Sequence, residues 1–339
     1  MNEMRNKAFG RVTIRTVAED AGVSVAAVSK VLRNAYGVSE ALRENVQASI
    51  GRLGYRPSTA AQSMRGRTST VGILLVEMAN PFLPGLVGSI NKVLAGAHYK
   101  SLMGVGEAQL KIESSLIESM IDFRMDGVIL IAPRSTGKSL DSFASQIPMV
   151  VVGHHEASSS TFDTINSDDV NGAKMATQAL IHAGHQKIHM ISPRLHPHSE
   201  IDVFRQRETG YAEAMQEAGL GGHIRVLRAS EKSPVKEKEL GEIAAGKQAT
   251  AYFCWSDLHA VVLCGAARAA GLRVPEDIAI VGYDNSPIAA MPPLNLSSID
   301  QNSQQLGAMA AKALISRIAG RTLSEHILLE PKLVRRASL

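Results

Sequence analysis

The chain has 339 residues and a formal charge of +4, with 45% hydrophobic residues, 4% aromatic residues and 2 cysteines. That length exceeds what one hydrophobic core usually serves, and the balance of apolar and charged residues is that of an ordinary globular protein rather than a disordered one. No run approaches 18 uncharged apolar residues and the start, Met1-Asn2-Glu3-Met4-Arg5-Asn6-Lys7, is polar, so neither a membrane span nor a secretory signal is expected.

The charge is unevenly spread. Residues 1–67 hold 11 Lys/Arg against 5 Asp/Glu, and the remainder holds 25 against 27. Basic charge concentrated in the first fifth of a chain is the electrostatic footprint of a nucleic-acid or other anionic partner. Within that segment, Thr13 is placed to cap a helix through Ile14–Ala21, and Gly22 to stop it in the left-handed conformation. Ser24 caps a second helix, Val25–Leu32. Val17, Ala18, Ala21, Val23, Val28, Val31 and Leu32 fall at helical spacing and can share one small core. A third helix follows from Ser39 to near Gly54, with Leu42, Val46, Ile50 and Leu53 at steps of three and four. Two helices across a tight glycine turn, supported by a third, make a helix-turn-helix unit.

From Val71 the texture changes to alternating strand and helix. The runs 71–76, 127–131, 148–152, 188–191, 251–254 and 278–281 are apolar and of buried-strand type. Amphipathic helices near 83–97, 171–183, 204–218, 256–270 and 303–319 lie between most of them. About ten strands in all predict two α/β lobes of doubly wound parallel sheet, with ligands at the carboxyl ends of the strands. Cys254 and Cys264 make neither a disulfide framework nor a metal quartet, which suits a reducing, cytoplasmic setting.

At this point the residues resemble a family. Thr13–Ser24, Val28-Ser29-Lys30-Val31-Leu32, Val38-Ser39 and Leu53-Gly54-Tyr55-Arg56-Pro57 are similar to the headpiece of lactose-repressor/galactose-repressor regulators. The likeness continues in order through Asn80-Pro81-Phe82, Asp126-Gly127-Val128-Ile129, Gly184-His185, Val274–Asn285 and Gly307, and so covers essentially the whole chain. It implies a helix-turn-helix headpiece at 1–56, a hinge helix or linker at 57–67, and an effector-binding and dimerisation core at 68–339 that resembles periplasmic sugar-binding proteins. The expected lobes are an N-lobe of about 68–165 and 301–326, and a C-lobe of about 166–299 and 327–339.

The resemblance makes the second helix the recognition helix. It places Val25, Ala26 and Lys30 toward bases and Ser29 toward the backbone, while the helix start at Ser24 suits a phosphate. Thr13, Tyr55 and Ala61 join this DNA-facing set. Many relatives carry hydroxyl or amide side chains where Val25 and Ala26 stand, and Arg where Lys30 stands. Val25 and Ala26 cannot hydrogen-bond bases, so they are expected to meet thymine methyl groups, and Lys30 to donate to a guanine without the two-pronged fork of arginine. In the hinge, Met64 occupies the position of the family's minor-groove leucine wedge.

The effector set comes from strand ends. Asn80 and Phe82 follow the first core strand, and Arg134 follows 127–131. Asp168 and Asp169 open a helix at one crossover, and Gln301 sits at the second. Arg207 matches the family arginine ahead of Gly210-Tyr211, Trp255 and Asp257 follow 251–254, and Asp284 follows the strand ending at Val281. Carboxylates with an arginine suit hydroxyl-rich ligands, and Trp255 or Phe82 offers a flat face to a sugar ring or a base. His182, His185, His189, His196 and His198 match no zinc spacing, and Gly104-Val105-Gly106 lacks the rest of a dinucleotide fingerprint. No nucleophile–base motif or cofactor loop is present in the sequence. The expectation is therefore a homodimeric, effector-responsive repressor that binds a pseudo-palindromic operator, without enzymatic activity, cofactor, metal or membrane attachment. The resemblance makes a sugar or sugar derivative the expected effector, with a nucleobase or other metabolite as the alternative. The rival readings are a free-standing sugar-binding receptor, which would need an export signal and no headpiece, and an α/β enzyme.

Overall fold

A computed structural model describes residues 12–56, 67–193, 203–229 and 249–339. The expected hinge positions Ala61 and Met64, and with them His196 and His198, lie outside the described residues. The chain divides into two compact units at Thr68 and Ser69.

The first unit holds three helices, α1 (Ile14–Asp20), α2 (Val25–Leu32) and α3 (Glu40–Leu53). Each begins at the hydroxyl that the sequence indicates. Thr13 accepts from the Thr16 amide, Ser24 from Ala27 and Ser39 from Leu42, so each cap satisfies a backbone donor that the first turn leaves open. Gly22 joins α1 to α2 with φ +66, a left-handed turn that strains any residue bearing a Cβ. Val17, Ala18, Ala21, Val28, Val31 and Val46 form the buried core of this unit. Asp20 reaches across to α3, accepting from the Ser49 hydroxyl and from Arg52, both at 2.6 Å.

The second unit contains two six-stranded sheets. The N-lobe sheet has the order β11-β5-β4-β3-β1-β2, from β1 (Thr70–Leu75), β2 (Lys100–Val105), β3 (Gly127–Ile131), β4 (Met149–Val152), β5 (Asp163–Ser167) and β11 (His326–Leu329). All its pairings are parallel. Helices α4 (Leu83–Gly96), α5 (Leu110–Asp122), α6 (Lys138–Ala144) and α10 (Ser303–Ile318) accompany it. One face packs Ile73, Ile129 and Val150 against Leu86, Ile90, Leu306 and Leu314, while the other packs Leu74, Val128 and Val151 against Ile117 and Met120.

The C-lobe sheet has the order β12-β10-β9-β8-β6-β7. Its strands are β6 (Ile188–Pro193), β7 (Arg225–Ala229), β8 (Ala251–Cys254), β9 (Ala279–Tyr283), β10 (Ser297–Asp300) and β12 (Lys332–Val334), the last antiparallel to β10. Helices α7 (Asp169–His182) and α8 (Val203–Glu217) cover one face and α9 (Asp257–Ala269) the other. The lobe boundary differs from the sequence reading at two strand ends, the first being β5, which keeps Asn166 and Ser167 in the N-lobe sheet. Ile327–Leu329 pair with Ile165–Ser167, so they extend the N-lobe sheet, and the chain returns to the C-lobe only with β12.

Candidate functional site

The described first unit presents α2 with its apolar side turned inward and its start turned outward. Val28 and Val31 are buried, whereas Ser24, Val25, Ala26 and Lys30 are exposed. Val25 keeps 41% of its surface exposed at the first position of a helix whose other valines are buried. An apolar side chain left out at a helix start suits contact with a thymine methyl, and Lys30 lies on the exposed side of the last turn. Ser29 is half-buried, Thr13 is exposed as the α1 cap, and Tyr55 is half-buried against the three-helix core.

In the second unit the strand ends of the two lobes face one cleft of about 640 Å³, including its open mouth. Asn80, Phe82, Asp169, Arg207, Trp255, Asp284 and Gln301 line it, so the structure brings seven of the ten expected effector residues together. Arg207 organises its floor. Its Nε donates to Asp169 Oδ1 at 2.8 Å, its Nη1 donates to the Trp255 carbonyl at 2.5 Å, and Asp284 Oδ1 is 3.8 Å away. The guanidinium stacks over the Tyr283 ring, 3.6 Å from its centroid. Asp284 also accepts from Asn80 Nδ2 at 3.2 Å and Gln301 Nε2 at 2.6 Å, so it ties the C-lobe to the N-lobe and to the crossover.

The two carboxylates differ in proton affinity. Burial works against charge on Asp169, but Arg207 and His155 outweigh it and hold its pKa below the ordinary value. Burial dominates at Asp284, raising it to about 7 despite the opposing effect of Arg207. The Trp255 indole N–H is buried in the cleft wall without an acceptor among the described residues. A buried donor left unmatched costs free energy that a ligand acceptor would recover.

Comparison with known proteins agrees with both units. Residues 13–58 match the description "Bacterial regulatory proteins, lacI family", and residues 177–339 match a periplasmic binding protein-like domain. The HTH-type transcriptional repressor PurR of Photobacterium profundum is 31% identical, across 96% of this chain and 98% of its own length. The chain belongs to the lacI family of bacterial regulatory proteins. The ribose operon repressor of Haemophilus influenzae is 29% identical over 96% of this chain and 98% of that protein. Among solved structures, the regulator CelR in complex with cellobiose covers 97% of this chain and all of its own, at 28% identity and a TM-score of 0.70. The Lac repressor dimer bound to operator shares the fold, with a TM-score of 0.80 at 22% identity over 96% of this chain and 98% of that one. The PurR and ribose operon relatives are repressors rather than enzymes, and this lacI-family chain is a helix-turn-helix transcriptional regulator of the same kind.

Three of the expected effector residues lie elsewhere in this lacI-family fold. Arg134 stands at the outer mouth of the cleft, on a loop pinned where the buried Glu113 carboxylate accepts from the Arg134 amide at 2.9 Å and the Ser135 amide at 3.1 Å. Asp168 caps α7, accepting from the Asn171 amide at 3.0 Å. Asp257 is fully buried and does not reach the cleft. Its oxygens take the Ser286 amide at 2.7 Å, the Ser286 hydroxyl at 2.8 Å and the Ser298 hydroxyl at 2.6 Å, which anchors the loop that carries Asp284. Burial pushes its carboxyl up to about 6.

Sequence reasoning missed His155, whose Nε2 lies 2.8 Å from Asp169 Oδ2. It follows β4, and only the sheet order, with β4 beside β5, brings it to the crossover. No local sequence signal marks it. Of the other histidines, His185 contacts the Thr250 hydroxyl at 2.9 Å and His189 lies edge-on to Tyr252. Among the described residues no group of three or more His, Cys, Asp or Glu is placed to hold a metal, and no helix is long and apolar enough to cross a membrane.

Proposed function

We propose that this chain is a cytoplasmic repressor that binds a pseudo-palindromic operator as a homodimer and is controlled by a neutral, hydroxyl-rich effector, a sugar or sugar derivative. The observation that carries the ligand class is the charge balance of the cleft. Arg207 is already matched by Asp169 and faces Asp284, which leaves no surplus positive charge on the cleft floor for a phosphorylated or acidic ligand. What the cleft offers instead are hydrogen-bonding groups at Asn80, Asp284 and Gln301, a buried indole N–H, and the flat apolar faces of Trp255 and Phe82. Those flat faces also favour the second reading, a nucleobase. The Ala79-Asn80 loop, Arg134 and Trp255 at the mouth define the entry. For the dimer, the edge strand β2 leaves Leu102 and Met103 55% and 57% exposed, an apolar edge that a second copy would cover.

Fluorescence anisotropy with DNA from upstream of the encoding gene tests the regulator reading. Binding is expected to weaken steeply with salt, and Lys30→Gln to weaken it roughly tenfold, in line with about 1–3 kcal/mol for a lost base contact. Binding that ignores both salt and Lys30→Gln would contradict it. A thermal-shift screen over carbohydrates and purines assigns the ligand class, since a ligand at 100 times its Kd stabilises by about 2.7 kcal/mol.

Effector binding also carries a pH signature. A ligand hydroxyl donates to the ionised form of Asp284, so affinity is expected to rise as pH climbs through about 7. Calorimetry near pH 7 in buffers of different ionisation enthalpy should then register a released proton. The unliganded unit moves in the opposite sense. Asp284 holds its proton more tightly folded than unfolded, so its contribution to stability falls between about pH 4 and the folded value near 7. Asp284→Asn should flatten both profiles, and a proton count unchanged by that substitution would assign the titration to another group.

A further inference from the structure

A second recess lies at the opposite end of the C-lobe sheet, where β6 and β7 begin. His189 and Arg225 are register partners on these adjacent parallel strands, so their side chains leave the same face. Lys187 precedes β6, and a 3-10 turn at Gly221–His223 leads into β7. Together they wall a solvent-open recess of about 520 Å³. The length of β6, about 17 Å at the usual rise per residue, separates it from Pro193 at the mouth of the effector cleft.

The buried member is His189, 6% exposed, with its ring set edge-on to Tyr252 at 5.8 Å and its Nδ1 without a hydrogen-bond partner. Burial lowers its pKa to about 4, and the charge of Arg225 adds to the effect. Lys187, His223 and Arg225 are exposed at the rim, and none forms an ion pair with a described residue. No Asp or Glu is among the described residues of the wall. Elsewhere in the C-lobe several cations are ion-paired: Lys174 meets Glu213 and Glu217, Arg228 meets Glu208, and Arg273 meets Asp277. What sets this recess apart is a buried imidazole nitrogen without a hydrogen-bond partner, walled by two cations that have no ion pair among the described residues.

We propose that the recess binds a small tetrahedral oxyanion, inorganic phosphate or a phosphate monoester. Arg225 supplies a planar fork that spans two oxygens, Lys187 a point charge, and His189 an imidazole N–H, with His223 at the rim. The bound charge favours a protonated His189, so occupancy reports on the ring itself.

The test titrates the full chain with inorganic phosphate, and in a separate arm with glycerol 3-phosphate, against chloride at matched ionic strength. Calorimetry is paired with NMR of the histidine rings. The expected result is a saturable isotherm, His189 resonances that move along the same curve, and affinity at least roughly tenfold weaker in the Lys187→Gln/Arg225→Gln double variant. Both changes are at exposed positions, so the double variant should keep the parent circular dichroism spectrum. Saturation by glycerol 3-phosphate alone assigns an organic phosphate, and saturation by inorganic phosphate assigns the free ion. No saturation beyond the chloride effect, saturation without movement of His189, or full affinity in the double variant each overturns the proposal.

Discussion

Arg207→Ala is expected to cost the second unit about 3–5 kcal/mol and to abolish measurable effector binding. The side chain is 3% exposed and stands between Asp169, 1% exposed, and Asp284, 3% exposed. Removing it leaves the ionised Asp169 buried without its arginine, with His155 still beside it, and removes the charge that opposes burial at Asp284. It also strips the cover from Tyr283 and the donor from the Trp255 carbonyl. At about 2–4 °C per kcal/mol, the melting temperature should drop by on the order of 10 °C. Arg207→Lys keeps a charge but loses the fork and the stacking, so it should fall between the two. The double variant Arg207→Ala/Asp169→Asn should recover part of the loss, because the stranded charge goes with the carboxylate. Differential scanning calorimetry with and without the effector separates the two consequences. A single variant that melts within 2 °C of the parent and still responds to effector would remove Arg207 from the centre of the site.

The parts of this molecule that were legible in its sequence are those written in short-range physics. Ser24 and Gly22 announce a helix-turn-helix because a cap and a left-handed turn act over three or four residues. The apolar runs of β1, β3, β4, β8 and β9 announce a buried parallel sheet because both faces are covered. Strand β5 escaped that reading. Its sequence Asp163-Thr164-Ile165-Asn166-Ser167 is polar yet buried throughout. Asp163 is matched by Arg317 and Arg321, more than 150 residues away, and Asn166 pairs with the His154 backbone. Strand β10 is similar, with Ser297 bonded to Ser338 and Arg336, and Ser298 to Asp257. Polar residues of this kind are buried only because distant partners satisfy them, and no local window contains those partners.

The same physics separates Asp284 from Asp257. Both carboxylates belong to segments that follow C-lobe strands, so chain position alone sends both toward a ligand. The difference lies in who already holds their oxygens. Ser286 and Ser298 claim Asp257 from below the loop, whereas Asp284 is held by the arginine and amides that form the cleft. His155 belongs to the site for the converse reason: its neighbour in space, Asp169, lies on the far side of β5 in sequence.

Gly210→Ala should be the most damaging added methyl among the described glycines of the second unit, because it strikes stability and the effector site through one contact. A Cβ at this position on α8 would lie 2.1 Å from the Val170 carbonyl oxygen and 2.9 Å from the Ala173 Cβ on α7. The obstacle is backbone, so no rotamer change relieves it, and the two helices must move apart. Overpacking usually costs about 1–3 kcal/mol, and a clash with an immovable carbonyl belongs at or beyond the upper end. A fall in melting temperature of on the order of 10 °C follows. Arg207 lies one turn earlier on α8, and Asp169 is the residue before Val170 on α7, so separating the helices pulls apart the 2.8 Å ion pair that organises the cleft. Effector affinity should therefore fall even at temperatures where the variant remains folded. Gly265→Ala supplies the contrast, since its added Cβ meets nothing within 4 Å on α9. There the gain in helix propensity should stabilise by about 0.5–1 kcal/mol and leave effector binding unchanged. If the two variants melted alike, the close approach of α7 and α8 would have no part in holding Arg207 against Asp169.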